Sequence, residues 1–187
     1  MNTLSESAED SGVQALNQAP ARWSEELFLR CSHSALWAQR MLSRRPFCHI
    51  QDIRDAASAA WVGASEQDWL DAFSGHPKIG DVDYLRARFD QQARNEQGQV
   101  LSASTATLAS LADLNQRYLE RHGFIFIIRA AGLSAEAMLA ALQSRIDRSR
   151  SEELEEAARQ HARIALSRLE QEIERLATAS ADGNGTE

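Results

Sequence analysis

The sequence predicts an all-α protein: a single compact helical domain of about seven to nine helices, with one buried extended connection near residues 124–128. Three observations carry this reading. Apolar residues recur at spacings of three and four along most of the chain, the period of a helix with one buried face. Serines stand where helices should open, before the periodic runs. A single segment, Phe124-Ile125-Phe126-Ile127-Ile128, has the β-branched and aromatic make-up of a strand. No second strand is available to pair with it, so its main-chain groups could not be satisfied as a sheet. It is expected instead as a buried extended connection, with N–H and C=O groups available to a ligand.

In chain order, residues 1 to about 18 are rich in Ser, Glu, Asp and Gln without sustained periodicity, and are expected as a disordered tail. The folded domain is expected over residues 19–178. Trp23, Leu27, Leu29 and Cys31 mark a first helical segment, and Ala35-Leu36-Trp37 with Met41-Leu42 a second. Arg45-Pro46-Phe47 interrupts the pattern, because proline lacks a donor and restricts its neighbour. Ile53, Ala56, Ala60 and Trp61 resume it. Trp69-Leu70 and Phe73 give a short apolar face just before His76, and Leu85, Phe89 and Gln92 start a segment that carries Glu96.

The second half is more regular. Leu108, Leu111, Asn115, Tyr118 and Leu119 share a face of a helix opening near Ser102 or Ser104. Ser134 is a fitting N-cap for Met138, Leu139, Leu142 and Ile146. Ser149-Arg150-Ser151-Glu152 has the S-x-x-E form of a capping box. The acids Glu152, Glu153, Glu155 and Glu156 then fall in first turns, where the helix dipole favours them. Leu154, Ala158, Ala165, Leu169, Ile173 and Leu176 form the expected buried stripe of the last helix, and residues 179–187 a second disordered tail.

Composition narrows the function. A chain of 187 residues that is 43% hydrophobic can bury a proper core. With 27 acids against 20 bases and a formal charge of -7, it lacks the basic balance of a nucleic-acid binder. No apolar run approaches the ~18 residues of a membrane span. The start, Met1-Asn2-Thr3-Leu4-Ser5-Glu6, is not of secretory type. Cys31 and Cys48 are too few for a disulfide framework. A cytoplasmic protein without membrane or nucleic-acid partners is expected.

Acid–base chemistry has few candidates. His76 precedes Pro77, which keeps it out of the helical region, and Gly80 lets the chain turn, so its imidazole should be presented from a helix end or loop. Imidazole titrates near pH 6.5 and can move protons near neutrality. Glu96 is a candidate carboxylate. Arg145 and Arg168 both stand beside an apolar stripe, where an arginine stem can lie along the core and its head reach inward; the pattern does not choose between them. Metal spacings such as H-E-x-x-H, nucleophile elbows and phosphate-cradling loops are absent. His33, His49, His122 and His161 are dispersed, as surface or packing residues would be.

Taken together, these features resemble the ureidoimidazoline (OHCU) decarboxylase family of urate breakdown. The matching runs are Cys31-Ser32-His33-Ser34-Ala35-Leu36-Trp37-Ala38, Arg45-Pro46-Phe47, His76-Pro77-Lys78-Ile79-Gly80 and Glu96-Gln97. They continue with Leu114-Asn115-x-x-Tyr118, Arg121-His122-Gly123-Phe124-Ile125-Phe126, Arg145-Ile146 and Ile164-Ala165-Leu166-Ser167-Arg168-Leu169. The resemblance spans about residues 23 to 176. It implies an all-helical homodimer without metal or organic cofactor. The reaction implied is conversion of 2-oxo-4-hydroxy-4-carboxy-5-ureidoimidazoline to (S)-allantoin and carbon dioxide. By resemblance, His76, Glu96 and Arg168 are catalytic, which selects Arg168 over Arg145. Pro77, Gln97 and the main chain of Phe126, Ile127 and Ile128 would bind substrate. Two positions depart from the family: Ala93 stands where many relatives have Ser, and Ala131 where they often have Arg. The competing expectation is a non-catalytic helical interaction module that uses Trp23, Trp37, Trp61 and Trp69 as a partner groove.

Overall fold

The computed structural model of the chain describes residues 3–76 and 104–183. Among the described residues it is all-helical, with eight helices and no strand. In chain order these are α1 (Thr3–Gln18), α2 (Ala21–Ser32), α3 (Ala35–Ser43), α4 (Ile50–Ala59) and α5 (Glu66–Ser74), then α6 (Thr105–His122), α7 (Ala135–Arg145) and α8 (Arg150–Gly183). The segment expected to carry Glu96 lies outside the described residues. The chain forms two compact units: residues 1–72 with 161–187, and residues 73–160.

In the first unit the expected N-terminal tail proves to be a helix. Val13 and Leu16 of α1 are fully buried, and burying each contributes about 1.5–3 kcal/mol. Asn17 clamps the end of α1, donating through Nδ2 to Phe47 O at 2.7 Å while its Oδ1 accepts from Phe47 N. Arg45 Nη2 donates to the carbonyls of Leu16, Asn17 and Ala19 at 2.6–2.7 Å, satisfying orphan acceptors of the helix terminus. The sequence reading missed α1 because its polar face is long and its apolar contacts few. The other expected tail is corrected in part, since α8 continues to Gly183.

Tryptophans organise this unit's core. Trp37 is fully buried and Trp61 nearly so; Trp61 stacks on Trp69 with ring centroids 4.2 Å apart. Trp37 Nε1 donates to Ala57 O at 2.9 Å, so the indole loses no hydrogen bond on burial. Trp37 and Trp61 are therefore core residues and leave little of the expected partner groove. His161 is also buried; its Nε2 lies 2.9 Å from Ser32 O, and its ring meets Trp61 edge-on. Leu29, one of the residues that mark this helical segment in the sequence, is 43% exposed.

In the second unit the expected caps form. Ser104 accepts from Thr107 N and Ser134 from Ala137 N. Ser149 and Glu152 close a reciprocal capping box, with Ser149 N donating to Glu152 Oε2 at 2.9 Å and Glu152 N to Ser149 Oγ at 3.3 Å. The stripe of α8 differs from the expected one. Ala165, Leu169 and Ile173 are buried as read, but earlier in the helix the buried positions are Glu153, Ala157 and His161, while Leu154 and Ala158 are half-buried. Two polar residues on a buried face hid it from a hydrophobic pattern.

Candidate active site

The aromatic run takes its course from Gly123. Its φ of 79° is the left-handed conformation that ends α6, and its N–H closes on Leu119 O at 2.8 Å. Beyond it, residues 125–130 carry no helical structure, as expected of a connection. Phe124, Phe126 and Ile127 are buried, whereas Ile125 and Ile128 are half-buried. Phe73 meets Phe124 at 5.6 Å between centroids, and Tyr118 meets both Phe124 and Phe126 edge-on at 5.9 and 5.3 Å. These offset contacts suit the ring quadrupoles.

Behind this wall lies a buried charged network that the sequence reading missed. Arg145 Nε donates to Glu153 Oε2 at 2.9 Å, and Arg145 Nη1 donates to Ile127 O at 3.0 Å. The guanidinium also covers the Phe126 ring, 4.5 Å from its centroid. The Tyr118 hydroxyl donates to the same Glu153 oxygen at 2.6 Å. Burial, then the hydrogen bond to Glu153 and its charge, push the Tyr118 phenol up, so it stays a donor. Glu153, read only as a first-turn acid favoured by the helix dipole, is fully buried. The available signal was the spacing of four from Glu153 to Ala157 and His161, in line with Ala165, Leu169 and Ile173.

His76 stands just past the end of α5, half-buried, with its N–H closing on Phe73 O at 3.0 Å. That is the presentation the His-Pro pair predicts. Pro77, Glu96 and Gln97 lie outside the described residues. Arg168 is half-buried on α8 and donates through Nη1 to Cys31 O at 3.2 Å, at the C-terminal end of α2 where the helix dipole attracts a cation. Burial, and secondarily the charge of Arg168, lower the pKa of His33, the left-handed cap of α2. Arg145 and Arg168, equivalent in the sequence, are thus distinguished: Arg145 is engaged by a carboxylate, a carbonyl and a ring, while Arg168 sits half-exposed at a helix end. The main chain of the connection is partly committed, because Arg145 takes the Ile127 carbonyl and Gln160 Oε1 accepts from Arg129 N at 2.9 Å. A surface depression of about 350 Å³ between Arg117, Glu120, Arg121, Ile146 and Asp147 includes none of the candidate residues. No helix among the described residues is long and apolar enough to cross a membrane.

Comparison with known proteins places these observations in a lineage. The family model for OHCU decarboxylase matches residues 17–170. The chain is 32% identical over 142 residues to the uric acid degradation bifunctional protein TTL of Arabidopsis thaliana, covering 74% of this chain and 44% of that protein. The chain therefore spans less than half the length of this plant relative. It is 30% identical over 137 residues to a 2-oxo-4-hydroxy-4-carboxy-5-ureidoimidazoline decarboxylase of Haloferax volcanii, covering 73% of this chain and 80% of that one. Among solved structures, an OHCU decarboxylase crystallised in the presence of (S)-allantoin superposes with a TM-score of 0.62 at 28% identity, covering 88% of this chain and all of that one. An (S)-allantoin synthase shares the fold, with a TM-score of 0.66 at 22% identity over 86% of this chain and 53% of that one. With a family match over residues 17–170, well over half of the chain, the protein belongs to the OHCU decarboxylase family.

Proposed function

We propose that this chain decarboxylates 2-oxo-4-hydroxy-4-carboxy-5-ureidoimidazoline to (S)-allantoin and carbon dioxide, as a cytoplasmic homodimer that needs no metal or organic cofactor. The observation that carries the reading is the family match over residues 17–170, which contains His76, Glu96 and Arg168. The main chain of Phe126, Ile127 and Ile128, with Pro77 and Gln97, supplies the substrate contacts.

The substrate's own bonds explain why the chain's residues suffice. Its carboxylate is attached to a carbon beside an imine-like C=N. As the bond to carbon dioxide breaks, its electron pair moves between the two ring carbons, and the C=N pair moves onto nitrogen, which takes a proton. The resulting enol loses its hydroxyl proton and gains one on the ureido-bearing carbon. Overall the substrate anion and one proton give allantoin and carbon dioxide. His76 relays the proton from the hydroxyl side to that carbon, and delivery to one face sets the configuration. Glu96 orients the ureido or hydroxyl group and holds the charge state of the imidazole. Arg168 anchors the anionic or carbonyl edge of the ring with paired donors. Its grip belongs on the ring, since tight binding of the departing carboxylate would stabilise the ground state. The apolar Phe126 side disfavours a localised carboxylate.

The test is a circular dichroism assay with freshly generated substrate and dialysed protein, with and without chelator. The expected outcome is chelator-insensitive formation of (S)-allantoin, and a loss of turnover of ~10²–10⁴ in His76→Ala. Decay no faster than without protein refutes the reading, and racemic allantoin refutes proton delivery. Light scattering of the pure protein checks the dimer.

A further inference from the structure

The Arg145 network has no part in the chemistry above, yet it reaches the connection that would receive substrate. Among the described residues its members come from three helices: Tyr118 from α6, Arg145 from α7 and Glu153 from α8. We propose that Arg145, locked by Glu153 and Tyr118, is a positioning residue that sets the main chain of Phe126 to Ile128 in register for the ureidoimidazoline. This deepens, and rests on, the function proposed above.

Two contacts define that register. The Ile127 carbonyl accepts from Arg145 Nη1 at 3.0 Å, and two residues on, Arg129 N donates to Gln160 Oε1 at 2.9 Å. Ties at Ile127 and Arg129, on either side of Ile128, fix where the main chain of Phe126 to Ile128 lies for the substrate. The main-chain groups so placed meet a planar ureido or lactam edge.

Stability alone is a poor reason for this network. A buried ion pair replaced by apolar residues of similar volume typically costs nothing. What an arginine supplies is a fork: one arm on the carboxylate, another on the carbonyl, and a flat face over Phe126. The Tyr118 hydroxyl at 2.6 Å keeps the carboxylate, and through it the fork, in one orientation. A lysine offers a point charge and cannot hold both oxygens in that geometry.

The experiment uses the full chain carrying Arg145→Lys, or the double substitution Arg145→Met with Glu153→Met, which leaves no buried charge unpaired. Amide hydrogen exchange of peptides covering residues 124–130 is compared with the rest of the chain, and kcat and KM are measured on the freshly generated ureidoimidazoline. The expected result is cooperative unfolding in at least the lysine variant, with exchange at 124–130 accelerated tenfold or more. The value of kcat/KM falls by about 10–100-fold, mostly through KM, because main-chain contacts hold ground and transition state alike. The pH profile stays that of the wild type, since His76 and Glu96 are untouched. Unchanged exchange at 124–130 overturns the tether whatever the activity. Faster exchange with unchanged KM and kcat overturns the positioning role alone. A wild type without turnover overturns the proposed function, and with it any substrate role for the tether.

Discussion

Replacing Gly12 by Ala has opposite signs under the two readings of the N-terminus. If residues 1–18 were a tail with passing helicity, alanine would do no harm, and inside a helix it would add about 1 kcal/mol of propensity. In the structure a Cβ at Gly12 would stand 2.2 Å from Ile173 O and 2.8 Å from Ile173 Cγ2. Carbon and carbonyl oxygen approach no closer than about 3.3 Å in ordinary contacts, so α1 would have to move off α8 by about 1 Å. The obstructing oxygen belongs to a helix backbone, so a rotamer change gives no relief. Overpacking of this kind costs about 1–3 kcal/mol. Near the upper end, less the propensity gain, about 2 kcal/mol of net destabilisation is expected. Complete undocking of α1 sets the ceiling, about 3–6 kcal/mol for Val13 and Leu16 together. For a chain of this size 2 kcal/mol corresponds to a Tm lower by roughly 4–8 °C. Urea denaturation followed by circular dichroism and by tryptophan fluorescence measures the change. A Gly12→Ala protein as stable as the parent, or more so, refutes the packing of α1 on Ile173.

Two further outcomes follow from buried groups. Glu153→Ala removes the carboxylate that balances Arg145, whose side chain is only 6% exposed. It should cost about 3–5 kcal/mol, whereas the double methionine variant, which strands the Tyr118 hydroxyl and the Ile127 carbonyl but no charge, should cost less, about 1–3 kcal/mol; comparable urea midpoints for the two would show that no buried charge is being stranded. Cys31 is buried and Cys48 exposed, and burial, then the charge of Glu172, push the Cys31 thiol up to about 11. The fold therefore favours the protonated thiol: this contribution is fully present below pH 9, the unfolded thiol's value, and is lost as pH rises through about 11. Iodoacetamide at pH 8 should label Cys48 alone, and Cys31→Ala should flatten the alkaline loss of stability. Equal labelling of both thiols would contradict the buried placement.

The helical class, the caps at Ser104, Ser134 and Ser149, and the buried connection at 124–128 were all legible in the chain. Each depends on local chemistry: a spacing of three or four, a hydroxyl before an apolar run, an aromatic run without a partner strand. The family was legible too, because it resides in the order of short motifs. The errors arose where burial depends on something distant. Val13 and Leu16 look like stray apolar residues until another helix covers them. Glu153 reads as no more than a first-turn acid because its countercharge, Arg145, belongs to a different helix. The choice of Arg168 over Arg145 came from the resemblance alone; the contacts of Arg145 with Glu153, the Ile127 carbonyl and the Phe126 ring depend on tertiary structure that no local pattern encodes. By itself the sequence determined which segments coil and to which family they belong, since those follow from neighbours along the chain. Which polar side chains the core accepts was decided by the tertiary structure, because the cost of desolvating a charge is met only by a partner brought close in space.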